Sequence, residues 1–231
     1  MHQNSPFLYW FVGFGVTSAA VIAALAVRQA RQRTRDLAAV AQQMGFTFLG
    51  KNWRGPVLSP QFKTSLLQRA SGGVFSNVMT GSTGGLQVSI FDYTYGTGKN
   101  SVTLTLACFS QEEDLPPFEL RPENIFDKIG DAVVHSDIDF DSNPEFSRRY
   151  HLRGPDETRI RMLFSPSLLA YLEQIPPVQN WHVEASGTSL IIYRQRWPAK
   201  ATEVPALLNE ASAIARTILA SAGVKVKIGG T

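Results

Sequence analysis

The stretch 73-GVFSNVMTGSTGGLQVSIFDYTYGTGKNSVTLTLACF-109 decides the fold. GVFSNVMTG reads as a strand and STGG as a turn. LQVSIFDYTY alternates, with Leu86, Val88 and Ile90 on one face, and GTGKN is the next turn. SVTLTLACF alternates again, with Val102, Leu104 and Leu106 on one side. Period-two patterning between Gly-rich breaks specifies an antiparallel meander.

Outward from this meander the pattern becomes mixed. Upstream, DLAAVAQQMGF places Leu37, Val40, Ala41 and Met44 at helical spacing and stops at Gly45. FTFLG (46–50) is a short strand, NWRGPVLSP a loop and QFKTSLLQRA a short helix. Downstream, QEEDLPP (111–117) reads as a charged loop, FELRP as extended and ENIFDKIGDAV as helical. Pro155 fits a first helical turn with Asp156 and Glu157 at its positive dipole end, and Ser165 caps a second helix. NWHVEASGTSLIIYRQRW (180–197) reads as a hairpin about Ser186-Gly187. A terminal helix buries Val204, Leu207, Leu208, Ala211, Ile214, Ala215 and Ile218 and closes at Gly223. The predicted class is α+β: an antiparallel sheet with helices between and after the strands.

Phe7 to Val27 is a run of 21 residues without a charged side chain, and about 20 helical residues span a hydrocarbon core. Tyr9 and Trp10 sit near one end, where amphipathic rings favour headgroups. Arg28, Arg31, Arg33 and Arg35 follow at once. A cleaved signal peptide carries its charge before the apolar core, and this run carries it after. The asymmetry predicts a single-pass inner-membrane anchor with the body in the cytoplasm. The expected divisions are a short extracytoplasmic N-terminus (1–6), a transmembrane helix (7–27), a basic juxtamembrane helix (28–44), an α+β soluble domain (45–223) and a loose tail (224–231).

The chain has 22 lysines and arginines; the four between residues 28 and 35 leave 18 against 19 acidic residues in the remainder. The basic pI of about 9.1 therefore belongs to the anchor flank, and the near-neutral body argues against nucleic acid as a partner. Cys108 is the one cysteine, which excludes an intramolecular disulfide and a thiolate metal cluster.

Chemistry is sought first in 137-DIDFDSNPEFSRRYHLRG-154. Asp137, Asp139 and Asp141 have the opening spacing of a calcium loop, but its sixth and twelfth positions are Ser142 and Arg148, which excludes an EF-hand. The aspartates remain candidates for a divalent metal; alternatively they are the outward face of a strand with Ile138 and Phe140 inward. Arg148, Arg149, Arg153, Arg159 and Arg161 are candidates for an anion, since guanidinium forks bind carboxylate or phosphate; the alternative is pairing with the neighbouring acids. GTGKN lacks the first Gly, the Ser or Thr and the following helix of a phosphate loop. His135, His151 and His182 have no metalloprotease spacing, and no G-x-S-x-G occurs.

SDIDFDSNPEFSRRYHLRGPDETRIRMLFSPSLLAYLEQ resembles a segment of a bacterial membrane-associated family of unknown function. The likeness is carried by Phe146, Tyr150, Asp156-Glu157, Phe164-Ser165-Pro166 and Leu168-Leu169, with FDYTYGTGK and LPPFELRPE upstream. It implies a hydrophobic N-terminal region and an α+β body, and brings no activity. The sequence-level expectation is a membrane-tethered binding or scaffold module that uses no cofactor, with the bilayer and a protein at the membrane as partners. A sensor of an anionic ligand or lipid headgroup at the arginines, and a metal-assisted enzyme at the aspartates, are the alternatives.

Overall fold

In a computed structural model the described residues are 6–53, 64, 66, 73–123, 137–195 and 198–224, without the side chains of 6–20 and 22. Helix α1 (Pro6–Gln43) leads into β1 (Thr47–Gly50), β2 (Val74–Thr83), β3 (Leu86–Tyr95) and β4 (Val102–Pro122). Then come α2 (Pro144–Arg149), β5 (Tyr150–Arg153), α3 (Glu157–Leu163), α4 (Pro166–Gln174), β6 (Trp181–Arg194) and α5 (Val204–Ser221). The six strands form one antiparallel sheet in the order β1-β2-β3-β4-β5, with β6 also on β4. This is the α+β fold the sequence predicts. The expected helices over QFKTSLLQRA and ENIFDKIGDAV, and most of the loop after Asn52, fall outside the described residues.

Two expectations are corrected. QEEDLPP is not a loop but the middle of β4, a 21-residue strand. Residues 180–197 are not a hairpin, because β6 is a single 14-residue strand paired with β4 on both sides of Gly187. The bent pair is legible in side-chain parity. Along β6 the main core receives Val183 and Ala185, then Leu190 and Ile192; along β4 it receives Ala107, Phe109 and Leu115, then Phe118 and Leu120. Odd gives way to even in both strands, and the register slips between Ser110 and Leu115 and between Leu115 and Phe118. Bulges invert which face each residue meets and bend the strands. Gly187, at φ +58°, supplies the left-handed residue that mimics a turn in sequence.

The sheet is buried on both faces. Leu86, Val88, Ile90, Ala107 and Phe109 meet α5, α4, α3 and the end of α1. Phe91, Tyr93, Leu104, Leu106, Cys108, Ile191 and Tyr193 form a second apolar cluster with Leu66. All seven residues predicted for the terminal helix are buried on α5. Ser165 caps α4 through Leu168 N, as expected; α3 starts later than expected, with Asp156 as its cap through Arg159 N and Pro155 before the helix.

Helix α1 joins this core directly. Leu37, Val40 and Ala41 are buried in it, and each larger side chain contributes about 1.5–3 kcal/mol by leaving water. The helix ends in a Schellman cap: Phe46 N donates to Ala41 O, and Gly45 N donates to Gln42 O with Gly45 at φ +71°. The Phe46 ring then lies on Gly81, where a Cβ would come within 2.4 Å of it. Val21 and residues 23–29 are exposed, and Ala30 is the first partly buried residue after them. Among the described residues no helix is long and apolar enough to cross a membrane; most side chains of the predicted span lie outside that set.

Candidate functional site

The aspartate stretch does not form the predicted strand. Residues 137–140 lie outside any strand; Ile138 N donates to Leu152 O at 2.8 Å and Phe140 N to Ser147 Oγ at 2.8 Å. Period two is still expressed, with Ile138 buried and Asp139 exposed. The three carboxylates do not converge. Asp137 accepts from Arg153 Nε at 2.8 Å and pairs with His151 Nδ1. Partial burial opposes its charge, but the Arg153 and His151 bonds outweigh this and hold its carboxyl below the usual range. Asp139 and Asp141 are exposed, and among the described residues no group of three His, Cys, Asp or Glu could hold a metal.

The arginine group is largely occupied by the chain itself. Arg148 pairs with Glu145 at 2.6 Å. Arg149 donates to the carbonyls of Glu173 and Ile175, closing the C-terminus of α4. Arg161 binds Glu157 and the Asp139 carbonyl and lies over the Phe140 ring at 5.2 Å. Arg159 is exposed on α3. Arg149 thus ties α2 to the end of α4, and Arg161 ties α3 to the segment 137–140.

A tighter polar constellation lies where α1 enters the body. Arg33 donates Nε to Asp92 Oδ2 at 2.9 Å and Nη2 to Asp92 Oδ1 at 2.7 Å, a bidentate fork, and Nη1 to Ala199 O at 2.8 Å. Asp92 also accepts from Asn77 Nδ2 and from Thr105 Oγ1, each at 2.8 Å. Thr34 Oγ1 donates to Asn77 Oδ1 at 2.9 Å. Asn77 reaches inward because it occupies a bulge in β2, at φ +52°. Asp92 is only 2% exposed, and four donors satisfy its charge there. Sequence reading assigned Arg33 only to the anchor flank, beside Arg28, Arg31 and Arg35, which are exposed. The overlooked signal was Asp92 itself, the one charged residue of its strand, set between Phe91 and Tyr93.

Beside this constellation opens a cleft of about 690 Å³, sharing Thr105 and Ala199 with it. Its walls come from the loop before β6, the residues after β6 and the first turns of α5, with Val178, Asn180, Arg194 and Glu203 at its rim. Val178 is 89% exposed. Asn180 adopts a left-handed conformation, φ +50°, and turns the loop into β6. Arg194 lies over the Trp181 ring at 4.3 Å and pairs with Glu210 at 2.5 Å. The volume falls within the range of small-ligand and peptide-anchor sites.

A second buried acid, Glu184, lies on the other sheet face. It accepts from Leu66 N at 3.0 Å and Tyr193 OH at 2.8 Å, and His182 stacks on Tyr193 at 5.0 Å. Burial raises its pKa against the opposing bond from Leu66.

No protein-family model and no curated protein matches this chain. The fold is similar to the crystal structure of the mycobacterial trehalose monomycolate transport factor A, TtfA, with a TM-score of 0.57 and 13% identity over 83% of this chain and 96% of that one. At this identity the likeness describes the fold.

Proposed function

We propose that the chain is a single-pass inner-membrane protein of a bacterium whose cytoplasmic α+β body is a binding or scaffold module, held at a fixed height above the bilayer. The carrying observation is the continuity of α1. One helix of 38 residues contains the uncharged run and ends inside the hydrophobic core, and Arg33 forks onto Asp92 fewer than two turns after Val27. A flexible tether would place the body anywhere within its reach; a helix docked by its last turns fixes orientation. The constellation about Asp92 is structural, so the cleft is the surface offered to a protein partner.

On this reading the cleft takes an apolar side chain of the partner against Val178 and a carboxylate near Arg194. A photo-crosslinker at Val178, in the full chain in native membranes, is expected to give one discrete adduct that Arg194→Glu removes. Crosslinking no greater than from Ser110 would end the proposal.

A further inference from the structure

The end of the sheet from which α1 emerges carries a second, shallower feature. Thr34 contacts Asn77 at the start of α1's docked part and Phe46 covers Gly81 at its end, so α1 runs beside β2 in the same direction. Six residues back from Arg33 to Val27 is about 9 Å of helix. Three residues back from Asn77 to Val74 is about 10 Å of strand. Val74 therefore stands at the height where the uncharged run of α1 ends. Register brings more residues to that end: Val74 pairs with Thr94 and Tyr95 with Val102, Lys99 lies in the turn between β3 and β4, and Lys51 and Trp53 follow Gly50, which pairs with Val78.

Val74 is 63% and Trp53 36% exposed, two of the few large apolar side chains left in water among the described residues of the body. Around them stand exposed Lys51 and Lys99, with Arg28, Arg31 and Arg35 on the helix. Among the described acids, Asp36 accepts from Gln32, and Glu203 pairs with Lys200. The charge reverses along β4, where Glu112 and Glu113 lie ten residues beyond Val102 and about 30 Å away along the strand, beyond the ~8–10 Å reach of a charged surface in salt.

We propose that this end of the sheet rests on the anionic bilayer surface, with Val74 and Trp53 in the headgroup layer and Lys51 and Lys99 on acidic lipids. The contact rests on the tether proposed above, and it turns one attachment into several. Apolar and aromatic side chains at the level of the headgroups, flanked by cations, suit that interface chemically.

The test uses the full chain in vesicles of phosphatidylcholine with phosphatidylglycerol. Fluorophores are attached at Val74→Cys or, as the distal control, Ser110→Cys. Native Cys108 is buried with its thiol pushed up to about 12, so it stays unlabelled. Headgroup-nitroxide lipids should quench the label at 74 at least threefold more than at 110, and Lys51→Glu with Lys99→Glu should reduce that excess by half or more. Equal quenching at 74 and 110, in a chain that resists carbonate extraction, overturns the contact and leaves the tether. A chain stripped by carbonate overturns the tether, and the contact falls with it.

Discussion

Replacing Arg33 by Met tests whether α1 is integral to the body. The substitution keeps helix propensity and much of the stem's apolar contact, but removes two of the four donors to Asp92 and the donor to Ala199 O. Breaking a buried ion pair from one side costs about 3–5 kcal/mol, because a charge is left uncompensated. Arg33 is 23% exposed and Asn77 and Thr105 remain on Asp92, so the lower end applies, about 3 kcal/mol. In a chain of this size that lowers the midpoint of thermal unfolding by about 6–12 °C. Asp92→Asn in the same chain removes the stranded charge and should recover about 1–2 kcal/mol, a coupling that a double-mutant cycle isolates. Arg33→Lys should fall between, since an ammonium cannot reproduce the fork. The readout is unfolding of the full chain in nanodiscs followed by near-UV circular dichroism. A loss below about 1 kcal/mol, or strict additivity with Asp92→Asn, would refute the reasoning.

Three further outcomes are expected. Glu184 has a raised pKa in the fold, so the folded state holds a proton that the unfolded state releases above the ordinary value near 4.5, and stability falls as pH rises past it; Glu184→Gln should raise the melting midpoint at pH 8 and change it little at pH 4. Asp137 is depressed, so its stabilisation is present at neutral pH and lost as pH falls through the folded value; Asp137→Asn should lower the midpoint at pH 7 and flatten the acid limb below about pH 4, measured across a pH series. Gly81→Ala drives a methyl to within 2.4 Å of the Phe46 ring; overpacking should cost about 1–3 kcal/mol, and Phe46→Leu in the same chain should return part of it in denaturant titrations.

Local patterning carried the meander, α5 and the end of α1, because Leu86, Val88 and Ile90, or Leu207 and Ile214, obey one period within one element. The long β4–β6 pair was hidden by that same logic. Pro116-Pro117 and Ser186-Gly187 have turn chemistry, but here they mark bulges within paired strands, and a bulge is set by the partner strand's register rather than by its own residues. The arginine and aspartate stretch was conspicuous because its charges are adjacent in sequence, and it resolves largely into helix closure and short-range pairs. The Arg33–Asp92 fork joins residues 59 apart, and no local spacing encodes such a meeting. What remained legible was an oddity, one acid between two aromatic residues of a strand, which demands a partner if buried.

The central claim is that the body is attached to the cytoplasmic face of a membrane through α1. The direct measurement expresses the full chain carrying Ser110→Cys in a bacterium, washes the membranes with carbonate, and treats intact and lysed spheroplasts with an impermeant maleimide. The account predicts that the chain stays in the washed membranes and that residue 110 labels only after lysis. Release by carbonate, or labelling in intact spheroplasts, would contradict it.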